Sequence, residues 1–292
     1  MATATATLTD AASSRTAPKA AARRRSPLSW IREHLLAATA LVIFVFLLAP
    51  NAVMLVMSFN QPVNNYNYVW HRFSTNAWAH PCAVGELCTS ISLSIKIGVV
   101  ATILATLLGT MAAFAMVRHR FKARSALNVL LFLPMAAPEV IMGATLMTLF
   151  MNTIGAASMG FWTITIAHVM FSLSYVVVTV KARLAGMDPT LEKAAQDLYA
   201  TPAQTFRKVT FPLVAPGIAA AALLAFALSI DDYIITVLNA GNAVTFPMYV
   251  YGSAQHSVPT QIDVIGSMML LITLAGIAAA QVPTIIKRRA WK

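Results

Sequence analysis

Six apolar stretches, each long enough to cross a bilayer, occupy most of the chain and dictate what it can fold into. They cover Leu35–Met57, Ile91–Val117, Asn128–Met151, Phe161–Val180, Leu213–Leu238 and Ile262–Ile286. A helix needs about 20 apolar residues to traverse the hydrocarbon core. Lipid offers no partner to backbone N–H and C=O groups, so such segments span as helices. The expectation is an all-α integral membrane protein with six transmembrane helices. Composition agrees, with 58% hydrophobic and only 11% charged residues, against about a quarter charged in soluble domains. A disordered chain, a collagen-like fibre and an ordinary cytosolic enzyme are thereby excluded. Two cysteines supply neither a disulfide scaffold nor a four-cysteine metal site.

The basic residues give the orientation. Placing both termini in the cytoplasm puts nineteen of the 21 Lys and Arg on the inner side, as the positive-inside rule requires. They form four clusters: the N-terminal tail, the segment Arg118–Arg124, the segment Lys181–Lys208, and the C-terminus from Lys287. The net charge of +11 thus follows topology and does not imply nucleic acid. Outside these clusters stand Arg72 and Lys96 with five acids, Glu86, Glu139, Asp231, Asp232 and Asp263. That balance favours a cationic solute.

Residues 1–30 are rich in Ala, Thr, Ser, Pro and Arg without apolar periodicity, and are expected to form a disordered, basic cytoplasmic tail. No short apolar region with a cleavage site follows, so the tail does not read as a signal peptide. Two readings of Arg23–Arg25 remain open, a topology determinant and a contact with anionic membrane lipid. Residues 31–292 form the expected six-helix transmembrane domain. Its outer loop, about Ser58 to Ser90, holds Trp70, Trp78, Cys82 and Cys88. The oxidising side of the membrane permits a disulfide there, but spacing alone leaves two free thiols equally open.

The cytoplasmic segment of about residues 182–212 is the most informative. Asp188 and Pro189 form an N-cap and first-turn proline. Thr201, Pro202 and Gln204 repeat the signal with a capping box. The loop therefore reads as helix–turn–helix, and such helices need a surface on which to dock.

This loop resembles the conserved cytoplasmic loop of permeases of binding-protein-dependent ABC importers, which carries the coupling helix. The matching residues are Ala194, Ala195, Asp197, Leu198, Ala200, Phe206, Pro212, Pro216 and Gly217. The runs Leu133–Phe150, Gly160–Asp188 and Leu228–Gly241 are similar to the spermidine/putrescine permeases, of the kind that forms the second permease subunit. The resemblance implies a type I importer permease fold in the inner membrane. It also implies a second permease subunit, two ATPase subunits that bind ATP and Mg²⁺, and an external solute-binding protein. The implied coupling segment is Glu192, Lys193, Ala194, Ala195, Asp197, Leu198, Tyr199 and Ala200. The chain departs from the family pattern at three places. The motif's Glu falls on Lys193, with Glu192 one position early; its turn Gly is Tyr199; and the family's Pro-Glu-Ile-Asn aligns with Thr260–Asp263. If the turn needs positive φ, Tyr199 is strained there.

Carboxylates inside a membrane mark protein-facing or water-filled paths. Glu139 follows Pro134 and Pro138, and reads either as a cation contact or as a helix-terminus group beside a proline break. Asp231 and Asp232 point about 100° apart on a helix, so one faces the path while the other pairs or is solvated. Tyr233, Tyr175 and Trp162 read as aromatic walls for an ammonium group or as packing. Asp263 reads as an N-cap or a solute contact. His168 reads as a satisfied interhelical hydrogen-bonder rather than a proton relay. The chain has no phosphate loop of the G-x-x-x-x-G-K-[ST] type, no H-E-x-x-H and no convincing Ser/His constellation, so it is expected to lack catalytic and metal sites of its own. The reading is a translocation subunit for a polyamine. The alternatives are another small solute on the same scaffold, or an ATPase-independent transporter or channel.

Overall fold

The computed structural model describes residues 27–290 apart from Asn65, Arg120 and Ala137. The expected tail lies outside the described residues up to Ser26, as does Lys292. Two compact units divide the chain, one ending at Val53 and the other starting at Met54. The described part of the first unit belongs to helix α1 (Pro27–Met57). The run Leu41–Leu48 makes α1 apolar on every side, as befits a helix surrounded by lipid or other helices.

In the second unit a single turn, α2 (Asn76–Ala79), is followed by α3 (Leu87–Arg118), α4 (Arg124–Ala136), α5 (Glu139–Thr153) and α6 (Phe161–Ala185). The loop helices α7 (Thr190–Asp197) and α8 (Pro202–Thr205) lead through a π turn, Phe206–Thr210, into α9 (Phe211–Asp231). Next come α10 (Ile234–Asn239), α11 (Phe246–His256) and α12 (Thr260–Ala290). Among the described residues, extended pairing is limited to two isolated bridges, Asn60 with Phe73 and Tyr66 with Val258.

Helices α3, α6 and α9 pack at the centre. Ser90, Ser94, Gly98, Ala105, Gly109 and Ala113 run along one buried face of α3, because small residues three or four apart let helix backbones approach closely. A Cβ at Gly109 would lie 2.6 Å from Val176 Cγ1, so α6 can sit this close only against glycine. Val177, Val180 and Leu184 of α6 complete the contact with Val214, Ala221 and Ala225 of α9.

The expected spans are present as helix but not all as single rods. Among the described residues, four helical stretches are long and apolar enough to cross a membrane individually: Leu35–Met57, Leu87–Arg118, Phe161–Ala185 and Pro202–Asp231. The third expected span, Asn128–Met151, is instead the pair α4 and α5, bent by 101°. Pro138 cannot donate to a continuing helix and biases its predecessor away from helical geometry. The fifth expected span ends early, at Asp231, and restarts as α10. The last lies within α12, whose described apolar part is Thr260–Gly276.

The loop between α1 and α3 is arranged around Phe59, which stacks on Phe73 at 5.7 Å and on Trp78 at 5.3 Å. Cys82 and Cys88 form a disulfide in the same loop.

Candidate functional site: the capped loop and the break after α9

Helix α7 starts at Thr190, whose N–H donates to Asp188 Oδ1 at 2.9 Å. That bond holds the Asp188 carboxyl below its ordinary value. The capping box is complete: Gln204 N–H donates to Thr201 Oγ1 at 3.3 Å and Thr201 N–H to Gln204 Oε1 at 3.0 Å. Between the two helices the chain turns in a Schellman motif. Tyr199 N–H donates to Gln196 O at 2.9 Å, and Ala200 N–H to Ala195 O at 3.1 Å. This geometry requires a left-handed residue after the helix, normally glycine. Here it is Tyr199, with φ of 63°, the one non-glycine residue with positive φ among those described. The turn therefore keeps the geometry for which the family uses glycine, and Tyr199 carries the strain.

The two faces of α7 differ. Glu192 and Ala195 are partly covered, whereas Lys193, Ala194 and Asp197 are exposed. Leu198 and Tyr199 stand out at 82% and 96% exposure. Glu192 accepts from both terminal nitrogens of Arg118 at the end of α3, with Nη1 at 2.6 Å from Oε2. It also accepts from Thr210 Oγ1 at 2.5 Å, just before α9. The Arg118 bonds hold the Glu192 carboxyl below its ordinary 4.5, with Thr210 helping and burial opposing. The carboxylate's contribution is therefore present above that value and is lost only as pH falls through the lower folded one. Glu192 thus ties the loop to two central helices although it stands one position before the family's Glu. Arg118, its partner, was not singled out from the sequence. A basic residue at the end of an apolar helix gives no local sign that it pairs 74 residues away.

The acids expected in the spans separate. Asp232 is buried at 8% exposure. Its carboxylate accepts the N–H groups of Ile235 and Thr236, at 3.4 and 2.8 Å, capping α10. Asp231, its neighbour, is exposed. Tyr233 packs its ring against Tyr251, with centroids 4.6 Å apart. Glu139 is exposed in the first turn of α5, at the positive end of that helix. Helix α5 in turn packs on α10: Asn239 Nδ2 donates to Gly143 O at 3.2 Å. Asp263 is not an N-cap. It lies in the first turn of α12 and accepts from Asn67 Nδ2 at 2.7 Å, a side chain of the loop before α3 also bonded to Asn60 at 2.7 Å. Trp162 is exposed at the start of α6 against the edge of Phe161, and Tyr175 packs on Phe171. Among the described residues no hydrogen bond or ion pair joins Glu139, Asp231 and Asp263.

Ser229, Thr236 and Asn239 were missed in the sequence. The signal was present: Asp232, Thr236 and Asn239 recur at i, i+4 and i+7 on one helical face within an apolar run.

Comparison with known proteins agrees with this architecture. The model of the family described as binding-protein-dependent transport system inner membrane component matches residues 105–289. A spermidine/putrescine transport system permease protein of Haemophilus influenzae is 31% identical over 83% of this chain and 93% of its own length. A putrescine transport system permease protein of Escherichia coli is 35% identical over 78% of this chain and 82% of its own. Among solved structures, a bacterial ABC transporter involved in import of the acidic polysaccharide alginate superposes with a TM-score of 0.60 at 16% identity, over 90% of this chain and 98% of that one. A methionine ABC transporter in an inward-facing conformation gives 0.55 at 15% identity, over 69% and 95%. Family match and relatives together span the helical core, the capped loop and the break after α9: the chain belongs to the binding-protein-dependent transport system inner membrane components.

Proposed function

We propose that this chain is the translocation subunit of an ATP-driven importer that carries a polyamine of the spermidine/putrescine kind into the cell. The observation that carries the reading is similarity to polyamine permeases over about four-fifths of the chain. In this reading six spans cross the inner membrane with both termini inside, α4 and α5 forming the third across their bend. A second permease subunit completes the path. Two ATPase subunits hold ATP and Mg²⁺, and an external binding protein delivers the solute. This chain contributes the path and the coupling loop and performs no hydrolysis itself.

The coupling segment Glu192–Ala200 presents Leu198 and Tyr199 to the ATPase. Movement of the ATPase dimer passes from α7 through Glu192 to Arg118 and Thr210, and so into α3 and α9. Glu192→Ala is expected to lower ATP-driven putrescine uptake about tenfold, within the usual range of coupling energies. Glu192→Gln, which keeps acceptors for Arg118 and Thr210, retains more. Unaltered uptake by the alanine variant removes the brace from the mechanism.

Affinity purification of the tagged chain from native membranes tests the assembly. Recovery of a second permease, an ATPase and a solute-binding protein, with putrescine or spermidine stimulating hydrolysis, is the expected result. Recovery of this chain alone in a transport-competent form overturns it.

A further inference from the structure

A single imidazole grips both sides of the break that ends α9. His168 lies on α6 at 2% exposure. Its Nδ1 is 2.6 Å from Ser229 Oγ, on the α9 side. Its Nε2 is 2.9 Å from Thr236 Oγ1 on α10 and 3.3 Å from Asp232 Oδ2 at the break itself. The Thr236 hydroxyl is 2.7 Å from the same carboxylate oxygen. One arrangement of protons satisfies every atom: Ser229 O–H donates to Nδ1, Nε2–H to Thr236 Oγ1, and Thr236 O–H to Asp232.

An imidazole that merely tied α6 to one helix would need one partner. His168 instead joins the last turn of α9 to the first turn of α10, across Asp232 and Tyr233. These two residues set the change of direction, with φ, ψ of −65°, 123° and −106°, −44°. Polar groups at membrane depth are expensive to leave unpaired, so the closed network holds the break in one geometry. That geometry sets where Asp231 and Tyr233 point, the first exposed and the second packed on Tyr251.

We propose that His168 is a positioning residue for solute recognition: through Thr236 and Asp232 it fixes the break and thereby aims the Asp231 carboxylate and the Tyr233 ring at the cation. This rests on the reading of the chain as a polyamine permease with Asp231 in the path. Two amide variants separate the imidazole's contacts. Glutamine places a donor near the Nε2 position, facing Thr236 and Asp232. Asparagine reaches only the Nδ1 position, facing Ser229.

The experiment measures radiolabelled putrescine and spermidine uptake by the assembled importer in membrane vesicles, at equal amounts of chain. His168→Asn is expected to raise the half-saturating putrescine concentration about tenfold, with the maximal rate within about twofold and the putrescine-to-spermidine preference altered. His168→Gln stays within about threefold of wild type. In an Asp231→Asn background, His168→Asn adds less than about twofold, because the group it positions is gone. If His168→Asn fails to assemble, Thr236→Val removes the same Nε2 partner and is read the same way. Additive effects in the double variant, or a fall in maximal rate with half-saturation unchanged, overturn the positioning role. If Asp231→Asn alone leaves half-saturation unchanged, the underlying reading of Asp231 falls, and this proposal with it.

Discussion

Leu198→Asp is expected to abolish recovery of the ATPase with this chain and to reduce ATP-driven uptake to background. Leu198 is 82% exposed at the end of α7, where a large apolar side chain gains nothing unless a partner covers it. Burying such a side chain is worth about 1.5–3 kcal/mol, and an unpaired aspartate in the same contact adds a desolvation cost of several kcal/mol. A loss of about 4 kcal/mol lowers affinity roughly a thousandfold. Insertion and core packing should survive, since Leu198 belongs to none of the core clusters. Ala195 is a poorer probe of docking, because it is partly covered and faces the same side as Glu192. Tyr199→Gly makes the complementary test. It relieves a left-handed conformation that costs a non-glycine residue about 1–2 kcal/mol, and it restores the family's residue. Pairing with the ATPase is expected to persist. Co-purification and uptake measured on both variants check the argument, and an intact, active complex with Leu198→Asp would sink it.

The helical class was legible because lipid imposes one rule on every span, and the charge clusters fixed an expected topology by the same simplicity. The loop was legible because capping is local: Asp188, Thr201 and Gln204 act on residues two or three positions away. The breaks were less so. Pro138 announces one, but the end of α9 at Asp231–Tyr233 carries no proline or glycine, and its cause is a tertiary network. Asp232 leaves the helix because its carboxylate caps α10 and meets His168, which is 64 positions earlier in the chain. Sequence spacing required the two aspartates to diverge without saying which would turn inward. The N-cap alternative for Asp263 fails for a related reason: its partner, Asn67, lies 196 residues away in the loop before α3.

Asp231→Asn and Asp232→Asn are therefore expected to fail in different ways. Asp231 is exposed and caps nothing, so its charge is available to an ammonium group. A hydrogen bond to a charged partner contributes about 1.5–3 kcal/mol, which corresponds to a rise of roughly 10–100-fold in half-saturating putrescine concentration when the charge is removed. Uptake should fall more than basal ATPase activity, and the chain should assemble normally. Asp232 is committed to Ile235, Thr236 and His168, so Asp232→Asn places an amide where the carboxylate accepted backbone N–H and hydroxyl donors. Its expected effect is a lower yield of assembled chain, with whatever assembles losing maximal rate. Glu139→Gln is expected to be milder, about threefold, since a helix N-terminus favours a carboxylate by only about 0.3–1 kcal/mol. Uptake kinetics and yield, measured side by side, decide the matter. Identical profiles for the two aspartate variants would show that Asp231, like Asp232, serves the fold and that the cation contact lies elsewhere in the path.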